Sequence, residues 1–215
     1  MKCFIINYNR LLLPNNMAKW LAERGCEPIF IDNHSDYIPL LDYYATCPFQ
    51  VVFMKENFGH RVFWEHNLVK EFNIKGRYIV TDPDLDLTGI PNDFLQVLDE
   101  GLDSYDFIDK CGFSLEINDL PNSPEGNFIR DQCEVRYWKH KVGKFWKSPI
   151  DTTFAMYRKG VTRYSHTAYR TDRPYTAKHV PWYYTDLSLL SPDELYYYQT
   201  ADVNFSTGKK RGFVK

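Results

Sequence analysis

What this chain lacks narrows the field first. Its 215 residues contain no apolar run near the roughly 20 residues that span a bilayer, so no transmembrane segment is expected. Charge of neither sign is in excess: 26 basic residues stand against 28 acidic ones, a net of −2. Without a basic footprint, nucleic acid is not an expected partner. The one basic run, Gly208 to Lys215, reads as a solvated end or the start of a linker. CxxC pairs are missing too. The five cysteines (Cys3, Cys26, Cys47, Cys111, Cys133) are odd in number and widely spaced, which argues against a disulfide framework or a zinc site. Reduced thiols in a cytoplasmic compartment are expected instead. The opening "MKCFIINYNR" is too short in apolar residues for a signal peptide and reads as a first strand. There is no internal repeat and no interdomain linker.

Aromatic residues, by contrast, are abundant: 16 Tyr, 15 Phe and 5 Trp. They suit both thick cores and the walls of ring-binding clefts, and composition does not separate the two uses.

Strand and helix patterns alternate through the first 90 residues. "CFIINYN" is a buried strand with a polar end. A helix follows over "LPNNMAKWLAERG", with start signals at Pro14 and Asn15 and a stop at Gly25. "EPIFIDNHS", "FQVVFMKENFG" and "RYIVTDPDLDL" supply three more strands, separated by a short helix in "IPLLDYYATC" and another over 62–72. Crossovers of this length suit a parallel sheet and predict an α/β protein with helices on both faces. Ligands of such sheets bind beyond the carboxyl ends of the strands. Here those ends are Asn7-Tyr8-Asn9, Asp32-Asn33, Asn57-Phe58-Gly59-His60 and Asp82-Pro83-Asp84.

Beyond Leu87 the alternation breaks. Helices are expected at "NDFLQVLDEGLDSY", "RDQCEVRYWKH" and "SPDELYYYQT". Strands are expected in "DKCGFSLEIND" and in "SPIDTTFAMYRKG", the latter opening on Asp151. A long irregular loop is expected over 164–184.

Asp82, Asp84 and Asp86 occupy alternate positions, so on an extended segment they share a side. Carboxylates gathered this way repel one another unless a cation lies between them. Hard oxygen ligands select Mn²⁺ or Mg²⁺ over zinc, and such an ion bridges naturally to phosphate. The bland alternative is an acidic turn, since Asp and Pro are turn residues. The preceding buried strand and the three other polar strand ends favour the metal.

Taken in order, "NYNR", "DNHS", "ENFGHRVFWEHN" and "TDPDLDL" resemble the nucleotide-sugar half of a GT-A-fold (Rossmann-like) glycosyltransferase of the family-2-like, small bacterial or virus-encoded kind. The likeness covers roughly residues 1–90 and implies an α/β fold with a mixed, mainly parallel sheet and helices on both faces. It implies a metal-dependent hexosyltransferase-type enzyme that takes a UDP- or dTDP-sugar and a carbohydrate or glycoconjugate acceptor. It also implies a single domain over 1–215, with a nucleotide-sugar-binding half (1–90) and an acceptor half (91–215), open to being one domain of a longer chain. Carried over residue by residue, Asp84 is the main metal ligand and Asp82 contacts metal or ribose. Tyr8, Asn9 and Arg10 line the nucleotide pocket, Asp32 accepts from base or ribose, and Asn57 and Gly59 approach the nucleotide. His60 and Arg61 approach phosphate. Asp86, extra to the motif, stands behind the metal or on the acceptor side. His34 occupies a place where glycine is commoner.

In the second half, Asp151 is the leading candidate for a catalytic base, with local turn-capping as its alternative. Asp86, Glu116 and Asp119 stand in reserve. His179, before Pro181-Trp182-Tyr183-Tyr184, is a candidate metal or phosphate ligand, and the aromatics are candidates for sugar stacking or core anchoring. Arg170 and Arg173 could reach a diphosphate. Three other readings make different demands on the sequence. A sugar nucleotidyltransferase would need a Gly-rich loop after the first strand, and "NYNRLLLPNN" has no glycine. A metal-dependent nuclease would need a basic groove. A non-catalytic nucleotide- or carbohydrate-binding module would bind donor without consuming it.

Overall fold

A computed structural model describes residues 1–201. The basic run at 208–215 lies outside the described residues. The first half alternates as the pattern requires: β1 (Lys2–Asn7), α1 (Leu12–Ala22), β2 (Glu27–Asp32), α2 (Ile38–Tyr44), β3 (Gln50–Phe53), α3 (Val62–Glu65), α4 (Leu68–Glu71) and β4 (Tyr78–Thr81). Then follow β5 (Leu85–Asp86), α5 (Phe94–Ser104), β6 (Lys110–Gly112), β7 (Ser114–Leu115) and α6 (Pro124–Phe128). The described residues go on through β8 (Lys141–Val142), β9 (Phe145–Lys147), β10 (Ala155–Tyr157), β11 (Ala168–Thr171), β12 (Thr176–His179) and α7 (Pro192–Thr200).

Nine strands form one sheet in the order β3-β2-β1-β4-β10-β6-β11-β9-β8. β3, β2, β1 and β4 run parallel. β10 is antiparallel to both β4 and β6, so β6 points the same way as β4, and β11 runs parallel to β6. A small second sheet joins β5, β12 and β7.

Both faces of the large sheet are covered. Alternate β1 residues Cys3 and Ile5 pack under Met17, Leu21, Leu98 and Leu102 from α1 and α5. Their neighbours Phe4 and Ile6 join Val62, Phe63, Leu68 and Val69 from α3 and α4. This is why the central strands read as continuous apolar runs. Among the described residues no helix is long and apolar enough to cross a membrane.

Four expectations shift. The helix expected over 62–72 is broken at Asn67, which takes a left-handed conformation (φ 54°) that asparagine tolerates better than most residues. The segment expected as a helix from Arg130 is a π turn (Ile129–Glu134) followed by a 3₁₀ turn (Val135–Trp138). Asp151 does not open a strand: β10 begins at Ala155, and Asp151 Oδ1 accepts the Thr153 N–H (3.1 Å), closing a local turn. The stretch 164–184 is not irregular throughout, since it supplies β11 and β12. Its Thr and Tyr residues are strand formers whose period is hidden because β11 is buried on both faces.

Candidate active site at the strand ends

In the sheet order, β2 and β3 lie on one side of β1 while β4 lies on the other. The chain therefore leaves a crevice beyond the carboxyl ends of β1 and β4, the place where open α/β sheets bind ligands. A cleft of about 1160 Å³ lies there. Tyr8, Arg10, Asn57, Gly59, His60, Asp82, Asp84, Asp151, Arg170 and His179 all line it.

The three carboxylates from β4 and the 151–153 turn meet in this cleft but are held differently. Asp84 Oδ2 lies 3.0 Å from Arg10 Nη1 and 3.6 Å from His179 Nε2. Its Oδ1 is buried with no hydrogen-bond partner among the described residues. Asp82 Oδ2 accepts from Thr152 Oγ1 at 3.0 Å. Burial, reinforced by the negative charges of Asp151 and Asp84, pushes the Asp82 carboxyl well above the usual carboxylate range. Asp151 goes the other way. Its depth in the molecule would raise it, but the Thr153 N–H and the positive charge of Arg170 and His179 together hold it below its usual value. Burial and like charge disfavour the ionised form of Asp82 until a cation stands beside it, while Asp151 stays ionised.

Three basic side chains accompany them. Arg10 is buried, with its guanidinium 3.7 Å from the Tyr197 ring centroid and its Nε 2.6 Å from Glu194 Oε1. Lys110 Nζ donates to the Asp151 carbonyl (2.6 Å) and the Tyr157 hydroxyl (3.0 Å). Arg170 donates to the Pro149 carbonyl (2.8 Å) and to the buried Glu134 carboxylate, and its guanidinium lies over the Tyr137 ring.

Several sequence-nominated residues do not line the cleft. Asn9 is wholly buried, its side chain bonded to the Asp36 carboxylate and to the backbone N–H groups of Asp36 and Tyr37, so it ties β1 to the turn after β2. Asp32 is buried, and its Oδ2 accepts the Ser35 N–H (3.1 Å) within that turn. His34 takes the left-handed conformation (φ 68°) that a glycine would adopt there, so the turn keeps its shape without one. Arg61 lies over the Tyr164 ring. Asp86 sits opposite Lys178 in the small sheet, its Oδ1 capping the Thr88 N–H (2.8 Å), away from Asp82 and Asp84. The two-residue β5 follows a turn at Pro83, so alternation no longer places Asp86 with the others.

The reserves are engaged elsewhere. Glu116 binds Arg173 in a paired contact (2.7 and 2.8 Å), and Asp119 binds Lys178 and the Tyr183 hydroxyl. Trp182 lines the cleft, its ring 4.6 Å from that of His179. Sequence reasoning missed Glu194, Asp193, Lys110, Glu134, Tyr137 and Tyr197. None belongs to a recognisable motif, and each earns its place only by where the fold puts it.

No protein-family model and no curated protein matches this chain. Among solved structures, it is similar to the mannosyltransferase PcManGT from Pyrobaculum calidifontis in complex with GDP-Man and Mn²⁺. That likeness has a TM-score of 0.44 and 13% identity, covering 73% of this chain and 44% of the other. This chain thus spans less than half the length of that protein.

What the cleft can hold follows from its own residues. Among the described residues, no three His, Cys, Asp or Glu side chains form a ready-made metal-binding group. Mg²⁺ and Mn²⁺ do not need one, since one or two carboxylates suffice when phosphate oxygens and water complete the shell. Asp84, with a buried unpartnered oxygen, and Asp82 beside it fit a divalent cation that arrives with an anionic ligand.

Proposed function

We propose that this chain is a metal-dependent glycosyltransferase of GT-A type, moving a sugar from a nucleoside-diphosphate donor to a carbohydrate or glycoconjugate hydroxyl. The observation that carries the reading is the meeting of Asp82, Asp84 and Asp151 in one cleft at the sheet's switch point, with Asp84 Oδ1 buried and unpartnered. Asp84 and Asp82 would hold the cation, with the His179 imidazole beside Asp84. When bound, that cation neutralises charge developing on a diphosphate leaving group. Asp151, kept ionised and open to the cleft, is suited to take the proton of the acceptor hydroxyl as its oxygen attacks the anomeric carbon. Tyr8, Asn57, Gly59 and His60, from residues 1–90, would serve the nucleotide, and Arg170 and Trp182, from the second half, line the same cleft. Resemblance of the strand-end motifs favours a UDP- or dTDP-sugar.

A second reading has its own support. Arg10 already gives Asp84 a counter-charge without any metal, as a binding module that never turns over donor would require.

Titration calorimetry with UDP, dTDP and GDP, with and without Mn²⁺, separates the two. One nucleotide is expected to bind only with Mn²⁺, and Asp84→Asn is expected to weaken that binding at least about a hundredfold. Nucleotide binding indifferent to both Mn²⁺ and Asp84 would leave the metal-free module standing.

A further inference from the structure

Glu194 is wholly buried, far along the chain from the aspartates, yet it reaches them through a single intermediary. Its Oε1 lies 2.6 Å from Arg10 Nε, and Arg10 Nη1 lies 3.0 Å from Asp84 Oδ2. Two carboxylates thus share one guanidinium, and the trio carries one net negative charge.

Stability does not account for this arrangement. Burying charges is costly even when they are paired, and apolar residues of similar volume often serve as well or better. Nor is Glu194 needed to anchor its helix. The adjacent Asp193 does that, with Oδ2 accepting the N–H groups of Leu11 (2.7 Å) and Leu12 (2.9 Å) at the start of α1. The far end of the trio, in contrast, points to a ligand. Asp84 lines the cleft, is 7% exposed, and has its Oδ1 buried without a hydrogen-bond partner among the described residues.

We propose that Glu194 is a positioning residue that sets the cation affinity of Asp84 by occupying the charge of Arg10. With Glu194 in place, Asp84 keeps a negative charge to offer a cation. Without it, the guanidinium belongs to Asp84 alone and cancels it. The last helix of the described chain thereby tunes a site built at the end of the fourth strand. This inference rests on the reading of Asp84 as a cation ligand.

The test uses Mn²⁺ itself, titrated against the full chain and followed by loss of the free-ion electron paramagnetic resonance signal, with parallel series containing UDP, dTDP or GDP. Glu194→Gln keeps the shape of the side chain and removes its charge, and is expected to weaken Mn²⁺ binding about tenfold or more. The double variant Arg10→Met with Glu194→Gln removes both charges and returns the net charge of the trio to its original value. It is expected to recover most of the lost affinity, to within about threefold of wild type. A purely structural clasp predicts the reverse, with the double variant binding Mn²⁺ no better than the single one. That result overturns the inference, as does unchanged affinity in Glu194→Gln alongside loss of binding in Asp84→Asn. If Glu194→Gln does not fold, the double variant, in which the net charge of the trio is that of wild type, decides by the same threefold criterion. If wild type binds no Mn²⁺, or Asp84→Asn binds it equally well, the cation reading of the cleft fails and this inference falls with it.

Discussion

An amine enclosed by rings and carbonyls titrates far from where it does in water, and Lys110 is such an amine. Its side chain lies between Tyr157 and Tyr164 under the Asp151 turn, wholly buried. Burial pushes its pKa down to about 7, against the upward pull of the Asp151 and Asp82 carboxylates. In the unfolded chain it would titrate at about 10.4. Between those values the unfolded state binds a proton that the native state has released, so the Lys110 contribution to stability rises with pH through that window. Denaturant titrations of wild type and Lys110→Met at several pH values from 6 to about 10 should therefore diverge steadily above pH 7, wild type gaining relative to the variant. A constant difference would show that Lys110 keeps an ordinary pKa. Residues of this kind were invisible beforehand. Asp82 and Asp84 could be picked out because they follow an apolar strand at alternate positions, whereas Lys110 sits in "DKCGF" with nothing to mark its depth.

At the scale of elements, α1 and α7 show how a helix end can be completed from a distance. Position Leu11 before α1 offers no capping side chain, and the Asp193 carboxylate, from the first turn of α7, takes two of the open N–H groups instead. Replacing Asp193 with Ala is expected to cost about 1–2 kcal/mol, a fall of several degrees in Tm, while Asn should retain most of the cap. Thermal melts of the two variants check this, and equal losses in both would mean that the carboxylate charge, rather than the cap, holds the helix. The element pattern of the first half followed from periodicity because both faces of the central strands are apolar and their crossovers are short. The second half resisted, since its strands run only two to four residues, too few to show a period.

For the whole molecule, the cleft draws on both halves of the chain. Arg10 and Asp84 come from the first half, Asp151 and Arg170 from the second, and Tyr197 from the last helix. A ligand that fills such a cleft binds the native state and not the unfolded one, so it must raise thermal stability by mass action. At 100 times its dissociation constant the matching nucleotide with Mn²⁺ should add about 2.7 kcal/mol, raising Tm by roughly 5–10 °C. Thermal denaturation with each nucleotide, with and without Mn²⁺, reads this directly. A shift of the same size without Mn²⁺ would count against a cation held by Asp84 and Asp82.

The amino-acid order alone determined the α/β class, the four parallel strands of the first half and the polar ends at which a ligand site could form. It did so because hydrophobic period and turn chemistry are local, readable within a dozen residues. Only the tertiary structure decided which polar ends share a cleft. It left Asp86 and Asn9 out, brought Asp151 and His179 in, and set Glu194 behind Arg10. Those choices depend on strand order and on contacts such as that of Arg10 with Glu194, 184 positions apart, and no local pattern encodes which distant side chain will arrive to balance a buried charge.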